Sequence, residues 1–152
     1  MACRLSVVIC FTFAVIAADR LNAQALNPEE NAIKQRLVEY YEHRSKGDAT
    51  LPTFFDADVD MRLSSTATTI QNGRAAVLQR LRVAVGQPPP RLQIQKITFL
   101  TDTLALVDGT LETDVNGGTT SYSFYVMVKQ GGVWRFRAMR SYQLPTPVSA
   151  NP

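Results

Sequence analysis

Apolar and polar positions along the chain switch between two periods, and the switches mark its elements. Ile33, Leu37, Tyr40 and Tyr41 follow one another at spacings of four, three and one, a single helical stripe that Arg44 continues three residues on. Asn27 before Pro28 is a helix N-cap followed by a proline at the first helical position, and Glu29 and Glu30 suit the positive end of the dipole. Gly47, in Lys46-Gly47-Asp48, stops it. The pattern predicts a helix over 28–46, with room for a short second helix between Asp48 and Phe55.

The period then falls to two. From Asp56 to Leu63, Val59, Met61 and Leu63 share one face while Asp58, Asp60 and Arg62 share the other, a half-buried strand. Ser64 to Asn72 reads as a hairpin or loop. Ala75 to Val85 reads as a helix, ended by Gly86 and by Pro88-Pro89-Pro90. Strands follow over 91–100, 104–114, 119–129 and 133–144. In the first of these, Leu92 and Ile94 have one parity and Ile97 and Phe99 the other, which predicts a bulge near Gln95-Lys96. Asn116-Gly117-Gly118 and Gly131-Gly132 are hairpin turns.

Helix, short helix, strand, helix and a meander of strands make an α+β class, expected as a cone-shaped, curved antiparallel sheet wrapped around the long N-terminal helix. The mouth of such a cone is a natural small-molecule pocket. Parity places Val59, Met61, Leu63, Tyr122, Phe124 and Trp134 inward. On β-strand 119–129 the opposite parity carries Tyr125 and Met127, so both faces of that strand are partly apolar, and packing between two copies in a homodimer is the expected outlet.

The N-terminus changes the picture. Arg4, an apolar run from Leu5 to Ala18, and Ala23-Gln24-Ala25 form the pattern of a secretory signal peptide over 1–25, with cleavage after Ala25. The run is shorter than the roughly 20 residues of a membrane span, with an uncleaved anchor as the alternative reading. The expected organisation is therefore a signal over 1–25, one domain over 26–144 and a loose tail over 145–152, in a secreted or periplasmic protein with no membrane association after cleavage. Cys3 and Cys10 leave with the signal, which removes disulfides, thiolate nucleophiles and Cys-based metal sites from the mature chain. Loss of Arg4, Arg20 and Asp19 leaves 14 basic against 12 acidic residues. Scattered charges of that balance give no argument for nucleic acid, so no nucleic-acid partner is expected, and no cofactor is expected.

Four segments carry a resemblance in their order and spacing. They are Tyr40-Tyr41 before Lys46-Gly47-Asp48, Phe54-Phe55-Asp56-Ala57-Asp58-Val59, Asn72-Gly73-Arg74-Ala75-Ala76-Val77, and Gly131-Gly132-Val133-Trp134-Arg135-Phe136. Over about residues 30–142 the chain resembles the nuclear transport factor 2-like superfamily, closest to its SnoaL-like and ketosteroid-isomerase-like branch. The resemblance implies a cone with a pocket between the first helix and the concave sheet, in a superfamily of isomerases, cyclases, dehydratases and plain binding modules, so the residues must decide function.

Ketosteroid isomerase works with an Asp base and an oxyanion hole of a Tyr and a protonated Asp. The resemblance carries the tyrosine onto Tyr40, seven before Gly47, but the base onto Leu63, beside Ser64, and the second acid onto Phe124. No catalytic residue is assigned. Tyr40 is read either as core packing or as a pocket hydroxyl, and Tyr41 as packing. Arg140, six after Trp134 where similar sequences often carry a His, shares parity with Trp134, Phe136, Ala138 and Tyr142. It is read as facing the pocket and meeting a ligand anion, or as paired internally with Asp108 or Glu112, or as exposed. His43 falls off the inner stripe and is read as exposed. Asp56, Asp58 and Asp60 read as a solvated run, and Asp108, Glu112 and Asp114 as carboxylates on one strand face without a histidine to complete a metal site. The expected ligand site is Tyr40, Met61, Leu63, Tyr122, Phe124, Trp134 and Arg140, for a small apolar molecule. The alternatives are a cyclase, isomerase or hydrolase using Tyr40 and Arg140, and a structural homodimer with a filled cone.

Overall fold

The computed structural model describes residues 27–63, 70–114 and 118–144. The predicted signal peptide, the Asn116-Gly117 part of the first hairpin and the tail lie outside these residues. Helix α1 spans Pro28–Lys46 as expected: Asn27 accepts a hydrogen bond from the Glu29 amide, and Gly47, in the left-handed region at φ 64°, closes the last turn. A 3₁₀ turn at Leu51–Phe54 leads into β1 (Phe55–Leu63) and β2 (Gln71–Asn72), then α2 (Arg74–Leu81) with a further 3₁₀ turn at Arg82–Ala84. The meander is β3 (Arg91–Thr101), β4 (Leu104–Thr113), β5 (Thr119–Gln130) and β6 (Val133–Gln143). Helix α2 is shorter than the predicted helix over 75–85, because its last turn tightens into the 3₁₀ form ahead of Gly86.

One sheet holds all six strands in the order β2-β1-β6-β5-β4-β3. The four meander strands pair antiparallel, but β1 lies parallel to β6, so the sheet is mixed rather than wholly antiparallel. Local hairpin signals set the direction of each meander strand relative to the next. The pairing of β1 with β6 is decided by the return of the chain from the far edge, which no local signal encodes.

The concave face is the core. The helix stripe Ile33, Leu37, Tyr40 and Tyr41 packs against Val59 and Met61 of β1, Ala105 and Val107 of β4, Tyr125 and Met127 of β5, and Trp134, Phe136 and Met139 of β6. Tyr40 lies in an aromatic cluster, with ring centroids 4.7 Å from Phe136 and 5.6 Å from Phe55. Truncating one of the large buried apolar side chains here costs about 2–5 kcal/mol. At the N-terminal end of α1, Glu29 accepts hydrogen bonds from the Lys129 ammonium at 2.7 Å and the Trp134 indole at 2.8 Å. Arg36 donates to the Thr53 and Trp134 carbonyls. These contacts fix the helix across the sheet.

Beside register shifts at Leu100 and between Phe55 and Asp60, two bulges bend the sheet. In β3 the extra residue is Gln95, where the parity shift predicted it. Gly109 faces Ile94 there, and a Cβ on it would fall 2.7 Å from the Gln93 carbonyl oxygen, so the bend requires glycine. In β6 the extra residue is Arg137, between Phe136 opposite Met127 and Ala138 opposite Val126. Before it Trp134 and Phe136 face inward; after it Met139 and Ser141 do, and Arg140 and Tyr142 are carried to the convex face. On β5 the inward residues are Ser123, Tyr125 and Met127. Tyr122 and Phe124 therefore lie on the convex face, against expectation: pairing with the bulged β6 and with β4 through Val107 and Leu111 selects the other parity.

Asp56 also departs from the solvated reading. It is 4% exposed, its carboxylate accepting from Arg137 at 3.0 Å, from the Asp58 amide at 2.8 Å and from Gln130. Arg137 also reaches Asp58 at 3.0 Å, and Asp60 pairs with Arg140. The β1 acids are thus partners of β6 cations, with Asp56 buried, Asp60 half-buried and Asp58 exposed as the solvated reading expects. Burial alone raises the Asp56 pKa, but the Asp58 amide, Arg137 and Gln130 outweigh it and hold the carboxyl below the usual range. A carboxyl lowered on folding contributes its full stability above the unfolded value of about 3.9 and loses it as pH falls through the folded value. Chemical denaturation of Asp56→Asn is expected to show a loss of about 1–3 kcal/mol at neutral pH, and a shallower fall in stability below about pH 4 than the parent chain shows.

Candidate functional site

The open end of the cone holds a cavity of about 150 Å³. The last turns of α1 supply Tyr40, Tyr41 and Arg44; the C-terminal end of β1 supplies Leu63; Pro90 closes one side. Strand ends bring Leu111 and Thr113 from β4, Ser121, Ser123 and Tyr125 from β5, and Met139, Arg140 and Ser141 from β6. The opposite end of the cone is filled by Phe54, Phe55, Phe136 and Trp134, all at most 2% exposed.

Of the seven residues expected at the site, Tyr40, Leu63 and Arg140 border the cavity. Met61 and Trp134 face the concave side but are buried in the core away from it. Tyr122 and Phe124 are on the other face of the sheet, where the Tyr122 hydroxyl donates to Asp108. Arg140 does not present a free charge to the cavity, because its guanidinium is bonded to Asp60 and to the Met139 carbonyl. Its partner is neither Asp108 nor Glu112. His43 is half-buried rather than exposed, with Nδ1 3.1 Å from both Asp48 and Thr50 and its ring 5.4 Å from Phe54.

Arg44, Tyr41, Tyr125 and the serines were not singled out by the sequence as site residues. Arg44 sits in the last helical turn, where a cation reads as a complement to the dipole. The signal was its place on the inward stripe, three and four residues after Tyr41 and Tyr40. Its guanidinium carbon lies 4.9 Å from the Tyr41 ring centroid.

Three buried phenols form the polar part of the site. The Tyr41 and Tyr125 hydroxyls are 2.5 Å apart. Tyr40 is fully buried, and among the described residues its hydroxyl has no hydrogen-bond partner; nor does Arg44 Nε. Burial raises the pKa of all three. At Tyr40 the adjoining Arg44 charge opposes the shift without cancelling it, and at Tyr125 the Tyr41 bond and Ser123 do the same. The phenols are therefore neutral at physiological pH. They donate hydrogen bonds to an acceptor but do not serve as bases.

No carboxylate or imidazole lines the cavity among the described residues. Nor, among the described residues, do three His, Cys, Asp or Glu side chains come together as metal ligands would, and no helix among them is long and apolar enough to cross a membrane.

The fold is an NTF2-like cone. No protein-family model matches the chain, and no curated protein matches it. Solved structures do. A ketosteroid isomerase-like protein from Erwinia carotovora atroseptica superposes with a TM-score of 0.65 at 11% identity, covering 80% of this chain and 100% of that one. An NTF-2 like protein from Shewanella oneidensis has a TM-score of 0.63 at 17% identity, with 74% and 97% covered. A candidate scytalone dehydratase from Novosphingobium aromaticivorans has a TM-score of 0.63 at 18% identity, with 82% and 95% covered. At such identities the likeness is one of fold.

The Tyr41–Tyr125 pair makes an asymmetric expectation. Tyr125→Phe strands the buried Tyr41 hydroxyl and is expected to cost about 1–3 kcal/mol. Tyr41→Phe is expected to cost less, since the Tyr125 hydroxyl keeps Ser123 beside it. The double variant should recover part of the Tyr125→Phe loss, as a denaturant-based double-mutant cycle would show.

Proposed function

We propose that the chain is an exported small-molecule-binding domain rather than a catalyst. The observation that carries this reading is the cavity itself: apolar walls from Leu63, Leu111 and Met139, buried hydroxyls at one end and, among the described residues, no carboxylate or imidazole lining it to take a proton. A drug-sized ligand needs about 300–1,000 Å³, so a cavity of about 150 Å³ suits a smaller, mostly apolar molecule. The far end of the cone is packed with its own side chains, so the ligand sits at the mouth.

The enzymatic alternative has one observation in its favour. The unpartnered Tyr40 hydroxyl is a neutral donor aimed at the cavity region, as an oxyanion site requires. It lacks the base: Leu63 borders the cavity where the resemblance carries one, and Phe124 faces away from it. General acid or base assistance is worth about 10²- to 10⁴-fold per group, so steroid isomerisation is expected to be absent. A thermal-shift ligand screen, followed by Tyr40→Phe on any hit, separates the readings. Weaker binding without turnover supports the binding module. Turnover that disappears in Tyr40→Phe overturns it in favour of the enzyme.

Export and self-association belong to the same proposal. Residues 1–25 have the composition of a secretory signal. The convex sheet face carries Leu106, Phe124, Val126 and Ala138, half-buried, among charges of both signs such as Asp60, Arg140 and Lys96. A face of that kind is self-complementary in a twofold pair. Native mass spectrometry of the protein recovered outside the cytoplasm is expected to give two copies of a chain beginning at Leu26. A monomer, or a chain retaining Met1, would contradict the corresponding part.

A further inference from the structure

The two sides of the cavity differ in chemistry. Leu63, Pro90, Leu111 and Met139 form an apolar wall, while Arg44 and Tyr40 form a polar end in which two donors are unsatisfied. The Tyr40 hydroxyl lies close enough to Arg44 to feel its guanidinium, yet it and Arg44 Nε are both shielded from solvent, and neither has a partner of good hydrogen-bond geometry among the described residues. Buried donors are normally paired, so two left unpaired beside one cavity mark a place where something accepts from them.

The charge is unpaired as well. Among the described residues Arg44 forms no ion pair. Asp48, four residues on, is engaged by Thr50 at 2.7 Å and 2.8 Å and by His43 at 3.1 Å. Arg140 borders the cavity too, but its guanidinium turns to the convex face and is neutralised there by Asp60. Among the described residues the lining thus carries one uncompensated positive charge and no negative one.

We propose that this cavity is a site for a small monocarboxylic acid with an apolar body, its carboxylate held by the Arg44 guanidinium and the Tyr40 hydroxyl. The proposal rests on the reading of the domain as a small-molecule binder and names the ligand class. A guanidinium whose Nε edge is free presents two parallel N–H donors, the fork that matches the two oxygens of a carboxylate. The Tyr41 ring, 4.9 Å away, backs the guanidinium and limits its rotation. A single cation balances a monoanion, whereas a phosphate monoester would bring a second charge into a partly enclosed, apolar-walled space. The body of the acid lies along Leu63, Leu111 and Met139.

The probes are benzoate and hexanoate, each compared with its neutral amide, benzamide and hexanamide, by calorimetric or NMR titration at constant ionic strength. The parent chain is expected to bind each acid at least about tenfold more tightly than its amide, the size of one charged hydrogen bond. Arg44→Met, which keeps the apolar stem, should bring acid and amide to within about twofold. Tyr40→Phe should weaken the acids more than the amides. Arg44→Lys, which keeps the charge but not the fork, should retain part of the preference, and it substitutes for Arg44→Met if the latter does not melt cooperatively. Equal binding of acids and amides to the parent chain would overturn the carboxylate site and leave the small-molecule reading intact. A preference for acids that persists in Arg44→Met would also overturn it, since the anion would then sit elsewhere. Binding of none of the four would count against both readings.

Discussion

One extra residue in the last strand sets the orientation of everything that follows it. Arg137 has no partner of its own on β5, and its guanidinium is instead held at 3.0 Å by each of Asp56 and Asp58 at the start of β1. The ion pair and the bulge are two aspects of one constraint. Where the register of β1 against β6 slips between Phe55 and Asp60, the Asp56 and Asp58 carboxylates meet the bulged arginine. Because of that extra residue, Met139 and Ser141 line the cavity while Arg140 meets Asp60 on the other face. Without it the cavity wall would be arginine and tyrosine, and Met139 would point away from the helix.

The helix supplies the opposite wall by the same logic of periodicity. Tyr40, Tyr41 and Arg44 lie on adjoining turns, so the stripe that buries Ile33 and Leu37 in the core ends in phenols and a cation at the mouth of the cone. Packing and chemistry are thus graded along a single element. The phenol rings contribute to the core, with Tyr40 packed edge-on or tilted against Phe54, Phe55 and Phe136, and the same residues border the cavity. Tyr40 accordingly fits both readings that its position on the helix allowed.

Features written in short-range signals were legible in the sequence. Asn27-Pro28 and Gly47 bounded α1, Gly131-Gly132 turned β5 into β6, and the parity shift at Gln95 marked the β3 bulge. The second bulge was not legible, because Arg137 sits in an unbroken run of good strand formers and its cause is a pair of acids some 80 residues earlier. From that one omission came the wrong face for Arg140. The wrong face for Tyr122 and Phe124 has a related origin: Tyr125 and Met127 make both parities of β5 apolar, so alternation alone did not say which side the helix covers. Arg44 went unnoticed for a different reason, since a cation in a last helical turn already has an ordinary explanation.

The parallel pairing of β1 with β6 also bears on how the molecule is made. The centre of the sheet joins a strand from the first half of the domain to the last strand of the chain, and the Asp56–Arg137 contact closes a separation of 81 residues. Contacts of that range are reached late and slow the search, because the loop must close before it is rewarded. A ribosome-bound chain that stops short of β6 leaves β1 without its principal neighbour, with the edge of β5 unpaired and Phe136 missing from around Tyr40. Completion of the fold therefore waits for β6, and until then the longest-lived exposed apolar surface is the one that will become the floor of the cone.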